Sequence, residues 1–326
     1  MSGNPASRNA ERDLLRKTVV GLVVKHAGPD AVRAAMDSEH GYDETLWNLL
    51  CEQVGAAALL VPEELGGAGG QLGDAAVILD ELGKALVPTP LLGTLLAELA
   101  LLAAPEPDGA ALERLAEGSA IGAVVFGDDY AINGDLVGAA GIESVVVGTD
   151  GTQLTRWNTF DAEPLSTMDP TRRLGRVTAG TTQPIGTDPG IADYAAILLA
   201  AEQVGAATRC LDMTVQYTKD RVQFGRPIGS FQALKHRMAD LYVAVSAARA
   251  VVDDALADPS STSASLARVV ASEAFCTVAG EAIQLHGGIA ITWESDIQLY
   301  FKRAQGSSQL LGQPAEHLRR LHHNVC

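Results

Sequence analysis

The region from residue 189 to residue 326 contains three long stretches in which apolar residues recur at helical spacing. They run from Ile197 to Val222, from Phe231 to Val252 and from Leu266 to Leu285, and a weaker fourth covers Ile297 to Ala304. An apolar stripe at this spacing has to be covered by neighbouring helices, and short polar loops between stripes favour antiparallel packing. The spacing therefore predicts a C-terminal four-helix bundle.

The rest of the chain divides into a second helical region and a region of different character. Between residues 118 and 185, short segments rich in β-branched residues alternate with the turn pairs Asn133-Gly134 and Asp150-Gly151, which predict tight hairpins. The first ten residues are predicted to form a loose tail. The sequence thus predicts a mostly α fold with three domains: an N-terminal helical domain (1–117), a shortened antiparallel β domain (118–188) and the bundle (189–326).

Charge and cysteine content limit the kinds of partner and compartment. The formal net charge of -16 repels nucleic acid and anionic membrane surfaces, so neither is an expected partner. The four cysteines are widely spaced, which is typical of reduced thiols and favours a cytoplasmic protein. The N-terminus lacks the apolar stretch of a signal peptide, and no uncharged run reaches the roughly 18 residues that span a bilayer.

Two segments contain residue types that suit a phosphate-bearing cofactor. In the first, Arg221 and Arg226 flank Phe224; arginine binds pyrophosphate oxygens, and an aromatic face can stack on adenine. In the second, Gln284 precedes Gly287 and Gly288, and glycines allow backbone N–H groups to approach a phosphate closely. On the residues alone, an ordinary loop with surface arginines is the favoured explanation of the first segment, and a glycine helix cap also explains the second well.

Two other segments do not match a known binding motif. The glycine-rich stretch from Val61 to Gly70 has neither the lysine of a P-loop nor the surrounding βαβ unit of a dinucleotide fingerprint. His317, His322, His323 and Cys326 near the C-terminus have no zinc-ligand spacing. The sequence therefore predicts a loop in the first case and no metal site in the second.

Taken together, the ordered motifs resemble the acyl-CoA dehydrogenase family. Val61 to Gly69 is similar to a segment of that family's N-terminal domain, and Asp169 to Arg173 is similar to the strand that leaves its β domain. Arg221 to Gln232 and Gln284 to Thr292, followed by Tyr300 to Ala304, resemble its two C-terminal signatures. The resemblance spans nearly the whole chain in the right order.

This resemblance implies a fold, a cofactor and a reaction. Family members have a helical domain, a β domain and a four-helix bundle, and they use FAD to oxidise an acyl-CoA thioester to the trans-2-enoyl-CoA. A glutamate removes the α-proton while the β-hydrogen leaves as hydride. The residues implied in binding the ADP half of FAD, which is typically shared across a subunit interface, are Arg221, Phe224, Gln232, Gln284, Gly287 and Gly288.

The chain departs from the family where the catalytic base should be. The usual glutamate position corresponds to Leu311, and the alternative position on the first bundle helix corresponds to Ala195. Counterparts of the Thr-Glu-Pro…Gly-Ser-Asp loop and of the Trp-Ile-Thr-Asn strand, which flanks the flavin ring, are also missing. The remaining candidates for an unorthodox base are Glu294, Asp193 and Glu202.

This combination resembles the short subunits of heteromeric (α2β2) acyl-CoA dehydrogenases of actinobacterial steroid catabolism. That resemblance implies a full-length dehydrogenase partner that supplies the base, a bulky steroid-derived acyl-CoA, and an electron-transfer flavoprotein or similar acceptor. Two alternatives stay open. The chain could be a self-sufficient homomeric enzyme with an unorthodox base, or a flavin-free scaffold of the same fold.

Overall fold

A computed structural model describes residues 5–127, 130–139 and 141–325. The described residues form eleven α-helices and nine β-strands. The helices are α1 Pro5–His26, α2 Pro29–Asp37, α3 Glu44–Leu49, α4 Leu72–Lys84, α5 Leu91–Leu102, α6 Gly109–Ala116, α7 Ile191–Asp220, α8 Gln232–Ala257, α9 Ser261–His286, α10 Ile297–Gln309 and α11 Pro314–Val325. The strands are β1 Ala120–Phe126, β2 Tyr130–Ile132, β3 Glu143–Thr149, β4 Gln153–Trp157, β5 Phe160–Leu165, β6 Leu174–Ala179, β7 Thr182–Thr187, β8 Val222–Gln223 and β9 Arg226–Pro227.

The first helix begins earlier than the sequence predicts. A loose tail was expected over residues 1–10, but α1 is helical from Pro5 onwards. The guanidinium of Arg8 donates to the side-chain oxygen of Gln71 at 3.2 Å, and that of Arg12 donates to Asp74 at 2.7 Å. These contacts tie the polar first turns of α1 to α4, and such tertiary contacts stabilise helical turns that fray in isolation.

The middle of the chain forms two small sheets, with strand orders β1-β3-β4-β7 and β2-β6-β5. The predicted hairpin at Asp150-Gly151 is confirmed, because it joins the antiparallel strands β3 and β4. The expectation of a purely antiparallel domain is wrong for one pairing, since β1 and β3 run parallel. A parallel pair needs a long crossover connection. Here the connection from β1 to β3 consists of β2 and the segment that follows it in the sequence.

Asn133-Gly134 is a turn but not the hairpin that the sequence predicts. β2, which precedes it, pairs with the distant strand β6. The buried Asn133 side chain donates to the carbonyl oxygens of Pro90 at 2.8 Å and Gly122 at 3.1 Å. This asparagine therefore ties the N-terminal helices to β1 rather than closing a two-residue loop.

The C-terminal helices form the predicted bundle around α7 and α9. Ser260 caps α9 by accepting from the backbone N–H of Ser263 at 3.1 Å, which fixes the reversal from α8 into α9. By length and composition one helical stretch, Ser261–Ile291, could cross a membrane. It instead packs against α7, α8, α10 and α11 and supplies buried core residues such as Phe275.

Glycines let α4 and α7 approach closely, and this contact joins the N-terminal helices to the bundle. A Cβ atom at Gly205 on α7 would lie 2.1 Å from the carbonyl oxygen of Asp80, and one at Gly83 on α4 would lie 2.4 Å from that of Glu202. A continuous core runs from the N-terminal helices through β1 and β3 into α7 and α9. The predicted architecture, helical at both ends with a small β region between, is confirmed.

Candidate functional site

The first predicted cofactor segment is a tight hairpin, which we call the Phe224 hairpin (residues 221–228). β8 pairs with β9, and the two loop residues Phe224 and Gly225 have φ angles of 52° and 77°. Positive φ at both positions is the geometry of a two-residue mirror-image turn. A bulky residue with this left-handed backbone conformation costs about 1 kcal/mol or more. Phe224 is also 91 % exposed to solvent. The chain thus holds an aromatic ring out in solvent at an energetic cost.

The hairpin is held rigidly at its base and side. The backbone N–H of Ile228 donates to the carbonyl oxygen of Arg221 at 2.8 Å. The guanidinium carbon of Arg226 lies 3.9 Å from the centre of the Phe231 ring, and Phe224 meets the same ring edge-on at 6.2 Å. A cation over an aromatic face and an edge-to-face pair both restrict the loop.

The second predicted segment follows the end of α9, and we call it the double-glycine turn (residues 284–291). Gln284, Gly287 and Gly288 are all exposed. Gly287 has φ 66° and ψ -147°, which strongly favours glycine. Gly288 has no such conformation, and a Cβ atom there would meet no atom of this chain within 4 Å. The fold of this chain therefore does not require glycine at position 288. The lack of a side chain there leaves room for a ligand to approach the backbone closely.

The two segments lie at the same end of the bundle. α8 reverses the chain between α7 and α9, so the C-terminal ends of α7 and α9 point the same way. The rings of Tyr217 and His286 stack there, with centroids 4.1 Å apart. Gln232, the first residue of α8, is exposed at this end as well. The structure therefore brings all the predicted cofactor contacts to one end of the bundle.

The two positions that the sequence analysis predicts for the family's base, Ala195 and Leu311, hold apolar side chains. Ala195 is fully buried on α7. Leu311 has φ 55°, and its side chain packs against the main core. Its backbone N–H donates to the Tyr130 hydroxyl at 3.0 Å, and its carbonyl oxygen accepts from His317 at 2.9 Å. Neither position offers a group that could accept a proton.

Two of the three candidate carboxylates lie at the surface and apart from each other. Asp193 accepts from the guanidinium of Arg320 at 2.8 Å, near the start of α7. Glu294 is exposed in the segment between the double-glycine turn and α10. Glu294 is thus an ordinary surface group, while Asp193 is a partly buried ion-pair partner of Arg320.

Glu202, the third candidate, belongs to a buried ion-pair cluster. Its carboxylate accepts from both Arg172 and Arg303, and Arg303 also binds Asp169 at 2.7 Å and the Thr171 hydroxyl at 2.9 Å. Burial alone would raise the pKa of Glu202, but the two guanidinium groups together lower it. A carboxylate held ionised by two cations is a poor proton acceptor.

This cluster (Asp169, Arg172, Glu202 and Arg303, with Thr171) occupies the space between the β region and the bundle. The cavity that remains beside it measures about 40 Å³ and is bordered by Leu82, Val87 and Asn133. Sites for drug-sized ligands measure roughly 300–1,000 Å³, so this space has room for little more than a water molecule. We call this space between the β region and the bundle the cleft, and the cluster fills most of it.

A larger groove lies elsewhere, between α1 and α8. It measures about 780 Å³ and is lined by Arg8, Arg12, Arg16 and Arg249 above a floor of small apolar residues. Arg12, Arg16 and Arg249 are already paired with Asp74, Glu81 and Asp80. None of the three candidate bases borders it within the described residues, so the groove does not assemble a catalytic site.

Sequence reasoning missed the buried cluster. Its members come from residues 169–172, from α7 and from α10, and the sequence shows them only as charges next to apolar runs. The signal that could have revealed Glu202 is a carboxylate on the apolar stripe of α7, directly after Ala200 and Ala201. Cys326 lies outside the described residues. Among the described ones, no group of three or more histidine, cysteine or acidic side chains is placed to hold a metal.

Comparison with known proteins gives a consistent result across the chain. The family model described as "Acyl-CoA dehydrogenase, N-terminal domain" matches residues 9–119, and "Acyl-CoA dehydrogenase, C-terminal domain" matches residues 191–325. The chain is 67% identical over 315 residues to "Acyl-CoA dehydrogenase IpdE2" of Mycobacterium tuberculosis, which covers 97% of each protein.

Two solved structures have the same fold along nearly their whole length. The "Tcur3481-Tcur3483 steroid ACAD G363A variant" superposes with a TM-score of 0.85 at 28% identity, covering 97% of this chain and 98% of the other. A chain of the ChsE4-ChsE5 complex from Mycobacterium tuberculosis superposes with a TM-score of 0.84 at 23% identity, covering 99% of this chain and 98% of the other. The second likeness concerns the fold alone.

Proposed function

Because this chain belongs to the acyl-CoA dehydrogenase family, we propose that it is the subunit that completes the FAD site of a full-length partner dehydrogenase. One observation carries the proposal: the cleft of this chain is filled by a buried ion-pair cluster, while its cofactor segments remain exposed at the end of the bundle. A self-sufficient enzyme would need the cleft open and a base within it. Among the described residues, the cavity beside the cluster is small and the one candidate base that borders it, Glu202, is ion-paired, which supports the proposal.

The exposed end of the bundle fits the ADP half of FAD. The Arg221 guanidinium suits the pyrophosphate, and the exposed Phe224 ring can stack on the adenine. Gln284 can hydrogen-bond the nucleotide, with Gln232 as a further candidate. The open space at Gly287 and Gly288 lets the backbone approach the phosphates. When bound, FAD supplies the acceptor for the hydride that leaves the acyl-CoA.

The partner chain would then supply the base and the contacts to the flavin ring. Oxidation of an acyl-CoA needs a carboxylate at the α-carbon, and the two family positions for it hold Leu311 and Ala195 in this chain. We place the active site in the partner, with this chain closing it from the side of the nucleotide. The two kinds of chain form a heterotetramer. An electron-transfer flavoprotein or a similar acceptor receives the electrons from its reduced flavin.

A bulky, steroid-derived acyl-CoA is the proposed substrate class. The proposal rests on the likeness at 28% identity to a structure described as a "steroid ACAD". A bulky substrate is consistent with the filled cleft of this chain. If only the partner chains hold active sites, the assembly has fewer active sites than chains, and each substrate can take up more space. The test is turnover of steroid thioesters against straight-chain acyl-CoA thioesters by the purified complex.

The experiment that tests the function compares the chain alone with the chain co-expressed with a full-length dehydrogenase. We expect the chain alone to be colourless, and the complex to be larger by size exclusion and to absorb near 450 nm. Arg221→Ala in this chain should lower the flavin content of the complex. Arg319→Ala, at an exposed arginine of α11, is the matched control and should leave it unchanged.

Two outcomes would overturn the proposal. A yellow chain that is bleached by an acyl-CoA without any partner would show that it carries its own base. A colourless complex, or one whose flavin content ignores Arg221→Ala, would show that this chain takes no part in the FAD site.

A further inference from the structure

One tyrosine touches both cofactor segments. Tyr217 lies on the last turn of α7, and its backbone carbonyl oxygen accepts from the N–H of Arg221 at 2.8 Å, which ends the helix where the Phe224 hairpin begins. Its side chain reaches across to the end of α9. There its hydroxyl donates to the carbonyl oxygen of His286 at 3.2 Å.

The contact with His286 also includes the two rings. They are stacked with centroids 4.1 Å apart and an angle of 22° between their planes. The Nδ1 atom of His286 lies 2.8 Å from the carbonyl oxygen of Ala282, and since a carbonyl can only accept, Nδ1 carries the proton. Burial lowers the pKa of His286, so the ring is neutral near pH 7. The histidine is thus fixed in one orientation, and Tyr217 packs on a rigid partner.

His286 is the residue from which the double-glycine turn starts. Gly287 and Gly288 have open space around them, so nothing in this chain packs against the positions at which side chains would stand. The start of the turn is oriented by its anchor at His286, and the buried side chain of Ala290 holds its far end. The backbone carbonyl at position 217 accepts from Arg221 whatever the side chain, so the part specific to tyrosine is the contact with His286, which holds the end of α9 against the last turn of α7 where the Phe224 hairpin begins.

We propose that Tyr217 is a positioning residue that holds the Phe224 hairpin and the double-glycine turn as one preformed unit for the nucleotide half of FAD. The inference rests on the proposed function. A preformed unit loses little conformational entropy on binding, which increases affinity without any contact between Tyr217 and the cofactor. Loosening it should weaken FAD binding while leaving the chemistry of the partner's active site intact.

The test uses the complex of this chain with its full-length partner. Tyr217→Phe keeps the ring and removes the hydroxyl, and we expect the Kd for FAD to rise roughly 2- to 10-fold, the usual weight of one hydrogen bond. Tyr217→Ala also removes the ring that stacks on His286, and it should raise the Kd for FAD roughly 10- to 100-fold. Tyr242→Phe is the matched control, since Tyr242 is an exposed tyrosine on α8, and should have no effect.

Further measurements separate positioning from a general loss of structure. At saturating FAD, kcat and the KM for the acyl-CoA should match those of the parent complex, and the Tm of the FAD-free Tyr217→Phe complex should be unchanged. An unchanged Kd for FAD in Tyr217→Phe and Tyr217→Ala, with Arg221→Ala still lowering flavin content, would overturn this inference alone. If Arg221→Ala also has no effect, the proposed function fails instead.

Discussion

Glu98 is a carboxylic acid in the middle of an apolar helix. It lies on α5 and is fully buried, and neither of its carboxyl oxygens has a hydrogen-bonding partner among the described residues. Burial raises the pKa of Glu98 well above its usual value of 4.5. The folded chain therefore keeps a proton on Glu98 at a pH at which the unfolded chain has lost it.

This difference makes folding depend on pH. Because the folded-state pKa is raised, the stability linked to this proton is complete below about pH 4.5 and is lost as the pH rises towards the folded-state pKa. We expect Glu98→Gln to remove a slope of up to about 1.4 kcal/mol per pH unit from the free energy of unfolding, relative to the parent. Urea unfolding of the chain between pH 5 and 8 measures it.

The control is Glu52→Gln, at an exposed glutamate of the N-terminal region. It should leave the pH dependence of the free energy of unfolding unchanged. Parallel curves for Glu98→Gln and the parent would mean that Glu98 is ionised in the folded chain.

Arg268 is a buried cation without an ion-pair partner among the described residues. Its guanidinium donates to the carbonyl oxygens of Ser307 and of Leu310, the latter at 2.7 Å, and to the side chains of Gln203 and Ser272. Burial lowers the pKa of Arg268 to about 10, so it remains charged at neutral pH. It thus binds the carbonyl groups at the C-terminal end of α10, where a positive charge is favourable.

We expect Arg268→Met to lower the free energy of unfolding by roughly 2–4 kcal/mol, because it leaves these buried acceptors without a donor. Arg319→Met, at an exposed arginine, should change it by less than about 0.5 kcal/mol. Urea unfolding at pH 7 compares the two. Equal stability of the two variants would contradict the capping role.

At the scale of elements, the long helices were predictable and the short ones were not. The apolar stripes locate both ends of α7, α8 and α9 to within about six residues, because each helix buries one face along most of its length. α2 and α6 were not predicted, because nine and eight residues are too short for a clear period. Strand pairing could not be predicted either, since β2 pairs with a strand some forty residues away.

The close approach of α4 and α7 gives a prediction about one element contact. A methyl group at Gly205 would stand 2.1 Å from the backbone carbonyl oxygen of Asp80, and backbone cannot move aside cheaply. Gly205→Ala should therefore destabilise the chain by roughly 1–3 kcal/mol. Gly280→Ala on α9, where a Cβ would meet nothing, should instead stabilise it by about 0.5–1 kcal/mol. Thermal unfolding of the two variants measures whether their stabilities change in opposite directions. A stabilised Gly205→Ala variant would show that α4 and α7 can move apart at little cost.

At the scale of the whole molecule, one half of the candidate site could be predicted from sequence and the other could not. The Phe224 hairpin and the double-glycine turn are each contiguous in sequence, so their residue types point to a nucleotide. The buried cluster exists only because residues 169–172, 202 and 303 meet in space. Sequence alone could therefore suggest a missing base, but it could not show that the cleft is filled.

The buried cluster links the β region to the bundle by ion pairs. Glu202→Gln tests whether the role of Glu202 is to stabilise this contact. The pKa of Glu202 is lowered in the folded chain, so its contribution to stability is present above about pH 4.5 and is lost as the pH falls further. At pH 7, removing the carboxylate leaves Arg172 and Arg303 buried without it. We expect a loss of about 3–5 kcal/mol in the free energy of unfolding, measured by urea titration.

The same variant decides between a structural and a catalytic role for this carboxylate. If Glu202 is a structural partner, Glu202→Gln destabilises the isolated chain, while the complex that still assembles turns over acyl-CoA at nearly the parent kcat, because the base lies in the other subunit. If Glu202 is the base, the same loss of stability is accompanied by a fall in turnover of orders of magnitude. Glu294→Gln, at an exposed carboxylate, should alter neither quantity. Since two guanidinium groups already hold Glu202 ionised in a space with room for about one water molecule, we expect the first result.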